Sequence, residues 1–316
     1  MLDFNLSNQE LGTVMATNAG PRGPRSHPRA SAYALLALLS VIWGLAFVAI
    51  RVADSDLSPL SLLLIRWLIA SAGFAVIVPF ARPKTKFESK DLPRLLAFAL
   101  MMVVLYGTAL NYAETSISSG LAGLLVSLGP VFIVAFSAVT LKERLSRRLV
   151  YALLLALVGC VLLSASDMNA GGNSLSGALE AIVASLIYAG FTVLSKPLVE
   201  KYGALSVTIW GSLTGSVFLL PLASAEFVRQ VSALPAEGWV AVLFLSLATT
   251  VIGYSIFYTL VGRGALSTLS IQLYLVPIVS VAGGILILQE QLTVFTVLGG
   301  AATLVAVGIV RTRSER

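Results

Sequence analysis

Ten successive stretches of nearly unbroken apolar residues, at 33–50, 60–80, 95–113, 120–141, 149–165, 177–194, 205–223, 239–260, 268–288 and 292–310, constrain the chain more than any other feature. Each is roughly 20 residues long, which at helical rise is the thickness of bilayer hydrocarbon. The connectors between them, such as 51–59 and 166–176, are too short to hold a soluble domain. With 57% apolar and 11% charged residues, there is too little polar surface to cover a water-soluble core. Barrel strands alternate apolar with polar, whereas these runs are apolar on every side. The expected fold is therefore an all-α integral membrane protein of ten transmembrane helices, surrounded by lipid.

The polar stretch 1–30 contains the sole histidine, His27, lacks the apolar segment of a secretory signal, and reads as a disordered cytoplasmic tail. Charge placement sets the expected orientation, because Lys and Arg beside helix ends resist translocation. With the N-terminus cytoplasmic, all but three of the 21 Lys and Arg fall on the inner side. Arg51 and Arg229 lie outside, and Arg66 lies within the second run. Both termini are then cytoplasmic, the location is the inner (plasma) membrane, and the basic balance needs no nucleic-acid partner.

An internal repeat relates the two halves. The segment Leu128-Gly-Pro130-Val-Phe-Ile, followed by Leu141-Lys-Glu143-Arg-Leu145-Ser146, matches Leu275-Val-Pro277-Ile-Val-Ser280, followed by Leu288-Gln-Glu290-Gln-Leu292-Thr293. Proline, glutamate and leucine recur 147 positions later. Earlier in each half, Ser40-Val-Ile-Trp43 and Arg51 correspond to Ser185-Leu-Ile-Tyr188 and Lys196 at an offset of 145. The expected units are 31–170 and 171–311, each of five helices, followed by a short cytoplasmic tail at 312–316. An odd number of crossings turns the second unit upside down, and inverted repeats give two opposed states of similar energy.

With Trp43-Gly44 and Arg66 in the first half, the paired Pro-to-Glu segments resemble those of EamA-type transporters of the drug/metabolite transporter superfamily, over residues 33–310. That resemblance implies ten helices around a central cavity and export of amino acids, other metabolites or toxic compounds. The sequence departs from the family pattern at Lys142 and Gln289, which stand where many members have glycine before the repeat glutamates Glu143 and Glu290.

The polar inventory disfavours enzymes. No Asp falls within a run and the sole His lies in the tail, so neither a metal site nor an aspartyl dyad can be assembled in the membrane. Cys160 has no base beside it and reads as a packing residue, and no P-loop is present. No cofactor is expected. Partners are the lipid bilayer and a small-molecule solute, and the chain is expected to act as a monomer or homodimer.

Candidate cavity residues are Trp43, Arg66, Trp67, Tyr106, Asn111, Tyr112, Tyr188, Tyr254, Tyr258, Gln272 and Tyr274, whose polar atoms need partners inside the bilayer. Arg66 lies about 10 Å inside the second run by helix rise, where it must face protein or water. A structural ion pair with Glu114 is its expected role, with anchoring of a carboxylate-bearing solute as the alternative. Pro130 and Pro277 are candidate gating kinks. The function expected is alternating-access transport, most simply export, of small organic metabolites such as amino acids; the competing reading is a polytopic scaffold or sensor subunit.

Overall fold

The computed structural model describes residues 30–81, 83–84, 86–140, 147–168, 174–262 and 272–314, and the described residues contain helices and no strand. In lipid a backbone must satisfy its own polar groups, and a helix does so within one segment. The first half holds α1 (Ala30–Ala53), α2 (Pro59–Ala81), α3 (Ser89–Ser116), α4 (Ser119–Val126), α5 (Gly129–Thr140) and α6 (Arg147–Met168). The second holds α7 (Ser174–Tyr202), α8 (Ala204–Leu219), α9 (Ala225–Ser232), α10 (236–262), α11 (Gln272–Leu288) and α12 (Val294–Ser314).

The described residues of every apolar run fall mainly in one of these helices, except that the fourth is split between α4 and α5. Six helical segments are long and apolar enough to cross a membrane, and shorter apolar helices occupy the other four runs. The break between α4 and α5 precedes Pro130, which has no N–H to continue α4. The short α9 was not expected; it begins where the Ser224 hydroxyl accepts the Phe227 N–H, 3.2 Å away.

Packing between the halves is reciprocal. α1 packs on α11 while α7 packs on α4 and α5; α1 packs on α10 while α7 packs on α3; α6 packs on α12. Exchanging the halves maps each of these pairs onto another or onto itself, as an isologous pair of subunits would. The third span of each half also carries a π-helical stretch at matching positions, Leu100–Leu105 and Phe244–Ile252.

Polar contacts join the halves at both ends of the bundle. At one, Lys201 of α7 meets Asp91 at 2.7 Å and Glu88 at 2.5 Å. At the other, the Ser280 hydroxyl of α11 donates to the Ser119 carbonyl at 3.0 Å.

Candidate functional site

Thr249, in the π-helical part of α10, joins three elements. Its carbonyl accepts the Trp43 Nε1–H of α1 at 3.0 Å, and its hydroxyl accepts from an Arg66 Nη2 of α2 at a long 3.4 Å. The hydroxyl itself donates to the Leu245 carbonyl. The Trp43 ring lies so close to α10 that a Cβ on Gly253 would come within 2.5 Å of its Nε1; only glycine leaves that space.

Around this junction the rings fall into two matched groups. Trp43 packs edge-on to Tyr254 at 5.6 Å and against Phe257 at 5.7 Å. Its repeat counterpart Tyr188 packs edge-on to Phe191 at 5.2 Å and lies 6.2 Å from Tyr106, which meets Phe191 at 5.9 Å. Span one of the first half thus stacks on span three of the second, and the reverse. Trp43, Arg66, Tyr106, Tyr188 and Tyr254 are each only partly buried. Tyr106 has Tyr254, Arg66 and Tyr188 among its charged or titratable neighbours, and Trp43 packs on Tyr254, so the structure brings these five sequence candidates together.

The expected Arg66–Glu114 ion pair is not formed. Among the described residues Arg66 has a single side-chain hydrogen bond, to Thr249, and its Nε is buried with no partner. The Glu114 carboxylate is fully buried and has no hydrogen-bond partner among the described residues, while the Arg51 guanidinium donates to the Glu114 backbone carbonyl. Arg66 reaches toward Thr249 and toward Tyr106 and Tyr254, whereas Glu114 sits two turns further along α3 than Tyr106.

Other candidates lie elsewhere. Trp67 is 5% exposed, 6.0 Å from the Arg66 guanidinium, and packed into the core with Leu63 and Phe74. Asn111 is buried and donates to the Pro59 carbonyl at 3.0 Å, tying α3 to the start of α2. Tyr112 is exposed on the bundle's outer surface. Pro130 sits in the first turn of α5, and Pro277 lies inside α11. The side chains of Tyr258, Gln272 and Tyr274, and all of Glu143, lie outside the described residues. Glu290 does not face the centre: its two carboxylate oxygens accept the N–H groups of Ser119 at 2.7 Å and Gly120 at 3.2 Å, at the positive end of α4.

Thr249, Phe191 and Gly253 were missed in the sequence. Thr and Gly are ordinary in membrane helices, and only the π-helical turn gives Thr249 its place. A cleft of about 500 Å³ lined by Lys86, Phe87, Leu95 and Trp210 lies away from this centre, beside the Lys201 end of the bundle.

Among the described residues, two related helical halves, apolar along their lengths, meet around Arg66 and a set of aromatic rings, the architecture of a polytopic membrane protein. The chain belongs to the EamA-like transporter family, whose sequence profile matches it twice, over 30–165 and 175–312. It is 33% identical over 277 residues to an uncharacterized transporter of Archaeoglobus fulgidus, covering 87% of this chain and 97% of that one. It is 28% identical over 284 residues to a probable terminal-alkyne amino-acid exporter of Streptantibioticus cattleyicolor, covering 88% and 93%. It is 26% identical over 292 residues to a probable amino-acid metabolite efflux pump of Escherichia coli, covering 87% and 92%. A crystal structure that is 19% identical superposes with a TM-score of 0.59 over 91% of this chain and 99% of that one, and so shares the fold. The protein is thus a multi-pass membrane transporter, with the bilayer and a small solute as its partners.

Proposed function

We propose that this transporter exports small carboxylate-bearing metabolites, amino acids among them, across the plasma membrane by alternating access. The observation that carries the reading is Arg66: a guanidinium inside the bundle that has, among the described residues, one long hydrogen bond, a buried unpartnered Nε and no ion pair. A planar fork of donors matches a carboxylate. The rings of Trp43, Tyr106, Tyr188 and Tyr254 around it would take the solute's apolar part or its ammonium group. Two relatives named as exporters or efflux pumps of amino-acid compounds support the substrate class.

Five runs in each half make the halves inverted, and the reciprocal packing supports two opposed states of comparable energy. The Lys and Arg distribution orients both termini to the cytoplasm, so the Lys201 end faces inward and the Glu114 end outward. The test is counterflow in proteoliposomes with a panel of amino acids and other metabolites, using wild type, Arg66→Lys and Arg66→Gln. Arg66→Gln should keep its melting temperature and lose transport of carboxylate-bearing solutes by about 1–3 kcal/mol of binding. Arg66→Lys should retain part of it. A large loss of melting temperature in both variants, with the residual transport unselective, would return Arg66 to a structural role.

A further inference from the structure

The outer end of the bundle holds two carboxyl groups that no described contact explains. Glu114, near the end of α3, has 0% exposure, and among the described residues neither of its oxygens has a hydrogen-bond partner. Both oxygens of Asp54, in the turn after α1, are likewise buried and unpartnered. The Arg51 guanidinium donates to the Glu114 backbone carbonyl, and neither carboxylate oxygen accepts from it. Glu290 is occupied at the start of α4.

The groups around Glu114 can be named helix by helix. α1 and its following turn contribute Arg51 and Asp54, α2 contributes Arg66, and the turn after α11 contributes Glu290. α4 carries no titratable side chain. α7 meets this part of α3 through Gly177, against the Ala113 carbonyl, Ser116 and Ile117, and its Glu180 is partly exposed. A carboxylate in such a place lacks both water and donors, and an isolated buried charge is far more costly than a neutral carboxyl. Opening this end to water would give the charged form its solvation.

Building on the alternating-access reading, we infer that Glu114, with Asp54 beside it, is a proton-binding site that latches the outer end of the transporter. With a proton on Glu114 the end closes as seen here; loss of that proton to external water favours the open form. The ligand is the proton itself, and the device makes the outer gate respond to external pH. Asp54 is a second such group: both its oxygens are buried without a described partner, and burial pushes its carboxyl up to about 7 despite the opposing effect of Arg51.

The experiment uses the full chain in right-side-out vesicles, carrying Thr249→Cys in a Cys160→Ala background, with a membrane-impermeant maleimide added outside at mildly acidic and mildly alkaline pH. Thr249 is 2% exposed and touches Arg66, so reagent arrives there only through an open outer end. The rate is divided at each pH by that of the same protein carrying Glu114→Gln, which cancels the thiol's own titration. The ratio should rise several-fold from acidic to alkaline pH, with Glu114→Gln labelled slowly throughout; Asp54→Asn should shift the midpoint. A ratio that stays constant with pH, while labelling from outside proceeds, overturns the proton latch and leaves alternating access standing. Absence of outside labelling under every condition overturns both. Loss of the pH response in Asp54→Asn alone moves the site to Asp54 and overturns the assignment to Glu114.

Discussion

The hydroxyls of Ser71 and Ser216 lie 2.7 Å apart, although the residues are separated by 145 positions, the same offset that relates Trp43 to Tyr188. Ser71 thus touches its own repeat counterpart where α2 packs against α8. Ser216 also lies within donating distance of the Trp67 carbonyl, so the contact belongs to a small network at the junction of the halves. A double-mutant cycle with Ser71→Ala and Ser216→Ala should give a coupling energy of about 0.6 kcal/mol, the scale found for hydrogen bonds between membrane helices. It is read from reversible unfolding in mixed micelles; additivity of the two changes would separate the hydroxyls.

Glu290 holds the start of α4 through two charge-assisted hydrogen bonds from backbone N–H groups. Glu290→Gln keeps the shape but offers only one acceptor oxygen, so it should lower stability by about 1–2 kcal/mol. Gly284→Ala should cost at least as much, since its Cβ would fall 2.1 Å from a Glu290 oxygen and 2.9 Å from the Ser119 hydroxyl. Both are measured by melting temperature, and a variant as stable as wild type would show that α4 does not need this cap.

Gln289 is the only non-glycine residue with positive φ among the described residues, at 56°. That left-handed conformation ends α11 and turns the chain so that the Glu290 N–H meets the Gly284 carbonyl at 3.0 Å. Gln289→Gly should raise stability by about 0.5 kcal/mol, and Gln289→Val should lower it by about 1–2 kcal/mol. Equal stability of the two variants would contradict the backbone assignment.

Asp54 gives a pH dependence with a definite sign. Its folded carboxyl titrates at about 7 against 3.8 when free, because burial disfavours its charge. The folded state therefore holds a proton that the unfolded chain has lost, and this contribution to stability falls as pH rises from about 4 to about 7. Asp54→Asn should remove that slope and be more stable than wild type above neutrality, by about 1–2 kcal/mol once solvent screening is included. Parallel stability curves for the two proteins would refute it.

Hydrophobic length made the helical class readable in advance, since runs near 20 residues admit few alternatives. The duplicated Pro130 and Pro277 segments made the repeat readable as well. Gln289 was visible only as a departure from family glycine, and the structure shows the backbone angle that glycine would serve. The aromatic centre was partly readable, because Trp43, Tyr106, Tyr188 and Tyr254 are polar-tipped rings far from helix ends. Arg66's partner was not, since choosing between Glu114 and Thr249 depends on how α2, α3 and α10 rotate against one another. The π-helical stretches have no residue signature; each is an extra residue accommodated in the winding.

Those two stretches bear on how a rigid-looking bundle could change state. A span wound with one surplus residue can pass that surplus along its length, and each step turns the segment it crosses by about 100° and advances it by about 1.5 Å. Thr249 sits on such a stretch, bonded to Trp43 on one side and Arg66 on the other. A shift of register in α10 would therefore release both at once, and the matching stretch in α3 would do the same to the rings around Tyr188. The protein carries its slack inside its third and eighth spans, as a screw thread does, and the connectors at either end could stay where they are.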